Sequence, residues 1–91
     1  MNKIHIEAQA DPDRLHELGV ASWPMWEKEA SSFPWHCDEA EICYLLEGDV
    51  TVTPEGGTAV RFGAGDLVHF AAGMTCHWEI HQTVRKYYRF A

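Results

Sequence analysis

Glu41 opens the run Glu41-Ile42-Cys43-Tyr44-Leu45-Leu46-Glu47-Gly48, where a carboxylate leads an otherwise apolar, β-prone stretch. Side chains alternate across a strand, which puts Glu41, Cys43 and Leu45 on one face and Ile42, Tyr44 and Leu46 on the other. Both faces are largely apolar, so the strand is expected to be covered on both sides, with Glu41 entering a buried environment. A buried carboxylate takes up a proton, pairs with a neighbour such as His36, or works as a ligand or acid–base group. Cys76 shares the inward parity of Cys43, and buried cysteine is commonly just a small apolar side chain. Trp78, two residues after Cys76, is expected to point inward as well. His69 falls opposite Val68 and Phe70, and His77 opposite Cys76 and Trp78, so both are expected to face outward. His5 and His16 carry no signal, and Tyr87 and Tyr88 read as core or interface aromatics.

These side chains depend on the elements that carry them. Gly48 supplies positive φ without a Cβ penalty, so residues 41–53 read as a strand, a tight turn at Glu47-Gly48 and a second strand. From there the pattern stays β. Glu55-Gly56-Gly57 is a hairpin turn, Thr58 to Phe62 a returning strand, Gly63-Ala64-Gly65 a turn and Asp66 to Phe70 a strand. Ala72-Gly73 turns again before strands at residues 75–81 and 84–90. Short strands separated by glycine turns predict an all-β sandwich or barrel. Upstream, Lys3 to Glu7 alternates like a short edge strand. Asp11-Pro12 and Gly19 bracket a short helix as N-cap, first-turn proline and C-terminal exit. Trp23–Glu29 and Phe33–Cys37 are aromatic and extended, since Pro24 and Pro34 disfavour helix in the residue before them.

A chain of 91 residues makes one domain, 1–91, with an N-terminal arm over 1–32 and a barrel core over 33–91. The net charge of −7 argues against nucleic acid and anionic membrane as partners. Three cysteines cannot complete a disulfide framework, which favours a reduced, cytoplasmic setting. No run is apolar enough for a signal peptide or a membrane span. The arm carries Trp23, Met25, Trp26, Phe33 and Trp35, more aromatic surface than a small barrel is expected to cover alone. A homodimer is therefore expected.

The stretch Glu41-x6-Gly48, followed by Gly65-Asp66 and Ala71-x-Gly73-x2-Cys76, resembles the paired motifs of the cupin superfamily, G-x5-H-x-H-x3,4-E-x6-G and G-x5-P-x-G-x2-H-x3-N. Further groups resemble the small single-domain cupins related to the cupin domain of ureidoglycine aminohydrolase. They are Trp23-Pro24-x-Trp26-x2-Glu29, Glu41-x-Cys43-Tyr44-x-Leu46-Glu47-Gly48, Gly65-Asp66-Leu67-Val68-x-Phe70, Cys76-x-Trp78 and Val84-Arg85-Lys86-x-Tyr88. The resemblance covers Trp23 to Phe90 and implies a double-stranded β-helix, or jelly-roll barrel, with a site in its mouth. Metal-binding cupins present three histidines and a glutamate. By that resemblance the first histidine slot holds Pro34, the second His36, the glutamate slot Glu41 and the third histidine slot Cys76. His36, Glu41 and Cys76 then form the implied ligand set for one divalent metal, whether Zn, Fe, Mn or Ni.

Two function classes follow. One is a small-molecule-binding cupin whose ligand pocket comprises His36, Cys43, Tyr44, Cys76 and Trp78 around Glu41. The other is an enzyme in which the metal or Glu41, as the catalytic group, acts on a small polar substrate, with hydrolysis of a ureido compound implied by the resemblance. Without metal or catalysis, Glu41→Gln is expected to fold as well as the parent, because a costly buried charge is removed.

Overall fold

The computed structural model describes residues 4–90. It is an antiparallel β protein with one short helix, of the jelly-roll kind. Strand β1 (Ile4–Glu7) leads to helix α1 (Pro12–Leu18) and a 3-10 turn (Val20–Ser22). Strands β2 (Met25–Lys28), β3 (Ser31–Cys37), β4 (Glu41–Pro54), β5 (Val60–Gly63), β6 (Leu67–Phe70) and β7 (Met74–Phe90) complete the fold. Lys3, the expected first residue of β1, lies outside the described residues. Helix α1 starts and stops where the sequence says it must. The Asp11 side chain accepts from the Asp13 backbone N–H at 2.9 Å, and Gly19 exits in the left-handed region at φ 67°.

Two long strands organise the rest. β4 and β7 pair antiparallel along nearly their whole lengths, from Glu41↔Phe90 to Pro54↔Cys76. The register slips between Leu45 and Val50, where the ribbon bends. On one side of the bend, residues 41–44 of β4 pair with β6, which pairs in turn with β1, while β7 is flanked by β2. On the other side, residues 49–52 pair with β5, and β7 is flanked by β3. The sheet therefore folds over on itself, and its two halves face each other across one core. Phe70 of β6 reaches Trp78 with ring centroids 5.6 Å apart, and Phe62 of β5 meets the same indole at 6.0 Å.

The bend corrects one expectation. Gly48 does not close a hairpin: it lies inside the continuous β4, with φ 123°. A Cβ there would sit 2.8 Å from Val84 Cγ2 and 3.1 Å from the Thr83 carbonyl oxygen. Glycine thus lets the two long strands cross closely while β4 changes neighbours. The extra residues also switch the parity of the strand: Glu41, Cys43 and Leu45 are buried before the bend, Val50 and Val52 after it. β7 is likewise one strand where two were expected.

A second, smaller apolar cluster lies outside the barrel. Val20, Trp23 and Leu67 are buried there, with Leu15, Leu18, Tyr44 and Tyr87 packed around them. Helix α1 therefore covers an outer sheet face. Arg14 on the helix bonds Glu7 of β1 through both carboxylate oxygens at 3.3 Å, and His69 Nε2 lies 2.6 Å from Glu7 Oε2. Arg14 first and then His69 hold the Glu7 carboxyl below its ordinary value.

Candidate functional site

Glu41 begins β4 and faces inward, only 7% exposed, as the alternation requires. Its partner is Lys86 of β7, 6% exposed, whose Nζ donates to Glu41 Oε2 at 2.9 Å. Lys86 follows Val84 at spacing two on β7, so it shares the buried face of that strand. The ammonium also lies over two indole rings, 4.9 Å from the Trp26 centroid and 4.8 Å from that of Trp78. Burial by itself pushes the Lys86 ammonium down. The negative charge beside it, on Cys43 when ionised and on Glu41, outweighs burial and holds it above the ordinary lysine value. Cys43 is a neutral thiol near pH 7, because burial pushes it up to about 12, so Glu41 is the counter-charge that matters.

The pair also lines an open cavity of about 130 Å³. Its walls are Trp26 of β2, Phe33 and Trp35 of β3, Trp78 of β7, and Tyr88 and Phe90 at the end of β7. Phe33 stacks on Trp78 at 14° and 6.1 Å, while Trp26 meets Trp78 edge-on at 6.4 Å. The Trp78 indole N–H is buried and makes no hydrogen bond among the described residues. The site is thus an aromatic pocket with an ion pair in its lining.

Only part of the expected constellation assembles. Glu41, Cys43, Cys76 and Trp78 all point into the interior. Tyr44 lies on the opposite face of β4 and lines a more open hollow of about 490 Å³ beside α1 with Leu15, Val20 and Tyr87. His36 is directed outward. On β3 it pairs with Thr75 and bonds Thr75 Oγ1 at 2.8 Å, with 53% of its side chain exposed. Cys76, the next residue along β7, pairs with Trp35, and paired residues project to the same face. His36 and Cys76 therefore lie on opposite faces, and the inward residue beside His36 is Cys37.

These residues do not fit the divalent metal that the resemblance implies. Pro34 offers no donor, His36 faces away, and Glu41 already binds an ammonium. Cys76 lies on the face opposite His36, so the two cannot share an ion. Among the described residues no three His, Cys, Asp or Glu side chains are grouped to hold a metal ion. Of the expected site residues only Glu41 and Trp78 line the cavity; Lys86 and the aromatic walls Trp26, Phe33, Trp35, Tyr88 and Phe90 were not among them. Alternation back from Phe90 and Tyr88 places Lys86 inside, and alternation along Phe33, Trp35 and Cys37 places Cys37 inside.

Among known proteins, the model of the EutQ-like cupin domain family matches residues 15–88. A DUF861 family protein from Thermotoga maritima, known as a crystal structure, is 45% identical, covers 97% of this chain and 99% of its own, and superposes with a TM-score of 0.93. A putative ethanolamine utilization protein Q from Salmonella typhimurium is 28% identical over 70% of this chain, with a TM-score of 0.63, and the chain spans 51% of that protein. The EutQ protein of Clostridium difficile, at 23% identity and a TM-score of 0.63, shares the fold. No curated protein matches the chain. The chain belongs to the cupin superfamily, as a small DUF861-type domain of the EutQ-like family.

Proposed function

We propose that this cupin binds a small organic molecule in the aromatic cavity, with Lys86 and Glu41 as its polar anchor. The observation that carries this reading is the buried ion pair exposed to a cavity whose walls are otherwise aromatic. A fold that needed only stability would do as well with apolar residues there, since a buried ion pair rarely outperforms them. Aromatic walls with few placed polar groups are the usual make-up of a small-molecule pocket. The net charge of −7 supports a small molecule over nucleic acid or anionic lipid as the partner.

The metal-dependent hydrolase alternative has less support, because its implied ligands do not converge. Ethanolamine, suggested by the name of the Salmonella relative, is also disfavoured as a direct ligand, since its ammonium would meet Lys86. An NMR titration with a set of aromatic fragments tests the reading. Shifts centred on the Trp26, Trp78 and Lys86 signals are expected. Absence of shifts with every fragment, or shifts confined to the hollow beside α1, would overturn it.

A further inference from the structure

The cavity's own hydrogen-bonding pattern narrows the ligand class, granting that the cavity binds a small molecule. Lys86 spends one ammonium N–H on Glu41 Oε2, and its remaining N–H groups have indole faces as neighbours. A carbonyl oxygen is a stronger acceptor than a ring face. Glu41 lines the same cavity, and among the described residues its Oε1 makes no hydrogen bond. The pocket lining thus offers donors and an acceptor side by side, on a pair whose charges cancel.

A cationic ligand would gain Glu41 but face the Lys86 ammonium 2.9 Å from that carboxylate. An anionic ligand would gain Lys86 but set a second carboxylate beside Glu41, leaving net charge in an apolar chamber. A neutral group with a carbonyl next to an N–H satisfies both members and adds no charge. For the body of the ligand, about 130 Å³ compares with the ~150 Å³ cavity that holds benzene in an engineered protein. A single flat ring matches that volume, in a chamber lined by Phe33, Trp35, Trp78, Tyr88 and Phe90.

We propose that the pocket selects neutral, ring-bearing primary or secondary amides, with the carbonyl oxygen on Lys86 Nζ and the amide N–H on Glu41 Oε1.

Four probes of nearly one size test this on the unaltered protein: benzamide, benzoate, benzylammonium and N,N-dimethylbenzamide. Binding is read by calorimetry and tryptophan fluorescence at pH 7. Benzamide is expected to bind at least about tenfold tighter than either charged probe, and N,N-dimethylbenzamide, which has no N–H, about tenfold weaker than benzamide. If benzoate or benzylammonium binds tightest, the cavity reading stands and the amide assignment falls. The same holds if N,N-dimethylbenzamide binds as well as benzamide, which would remove Glu41 from the contact. If none of the four binds at millimolar concentration, the small-molecule reading falls together with the amide assignment.

Discussion

Glu41→Gln leaves the Lys86 ammonium buried beside a neutral amide. Removing one partner of a buried pair costs several kcal/mol, because the other charge is left unpaired. With both side chains under 10% exposed, we expect Glu41→Gln to lose about 3 kcal/mol in urea denaturation, and Glu41→Gln/Lys86→Met to recover part of it. This reverses the tolerance expected from the sequence, where His36 was the partner considered for Glu41 and Lys86 was not. The same cluster sets an alkaline limit. Lys86, Cys37 and Cys43 all have folded pKa values above their ordinary ones, 10.5 for the lysine and 9.0 for the thiols. Stability from each is complete below its unfolded value and is lost as pH rises through the folded one. The melting temperature should hold to pH 9 and fall steadily towards pH 12, and Cys43→Ala should make that fall shallower. Calorimetry across that range checks both statements.

At the level of strands, the bend in β4 is the most demanding place in the fold. Gly48→Ala must adopt φ 123° and bring a Cβ against the Val84 backbone at 3.0 Å, so a loss of about 2 kcal/mol or more is expected. Chemical denaturation with an unchanged m-value would check it. The alternation of β4 was legible because Glu41 to Leu45 carries its parity in its own residues. The positive φ at Gly48 was legible too, whereas its setting was not. A glycine that turns a hairpin and one that bulges a continuous strand look alike locally, and the difference lies in Thr83 and Val84 across the ribbon. His36 was misplaced for a different reason. Phe33, Trp35 and Cys37 alternate with Pro34 and His36, so period two by itself puts His36 on the face opposite Cys37, as the pairing with Thr75 and Met74 bears out. The histidine slot implied by the resemblance was followed instead of that parity. Lys86 was readable from its neighbours Val84 and Tyr88, but a lysine inside a barrel is too rare to expect on parity alone.

For the molecule as a whole, the arm aromatics that suggested a homodimer have partners within the chain. Trp23 is buried beneath α1, and Trp26 and Phe33 pack on Trp78. Met25 and Leu46 stay exposed on the outside, and Trp35 and Phe90 at the cavity rim. The homodimer is thus a proposal with narrower support, and light scattering at micromolar concentration decides it: twice 10.4 kDa keeps it, and 10.4 kDa ends it. The central place of β7 also bears on synthesis. It is the last of the seven strands, yet it pairs with β2, β3 and β4 and completes both halves of the sheet. Domains that fold from the amino end during translation gain order as they emerge. Among the described residues β2 and β3 pair only with β7, so their edges and the tryptophans they carry stay uncovered until β7 has been made. These strands can be ordered only together with β7, and until then the chain exposes bare strand edges of the kind that pair with other chains.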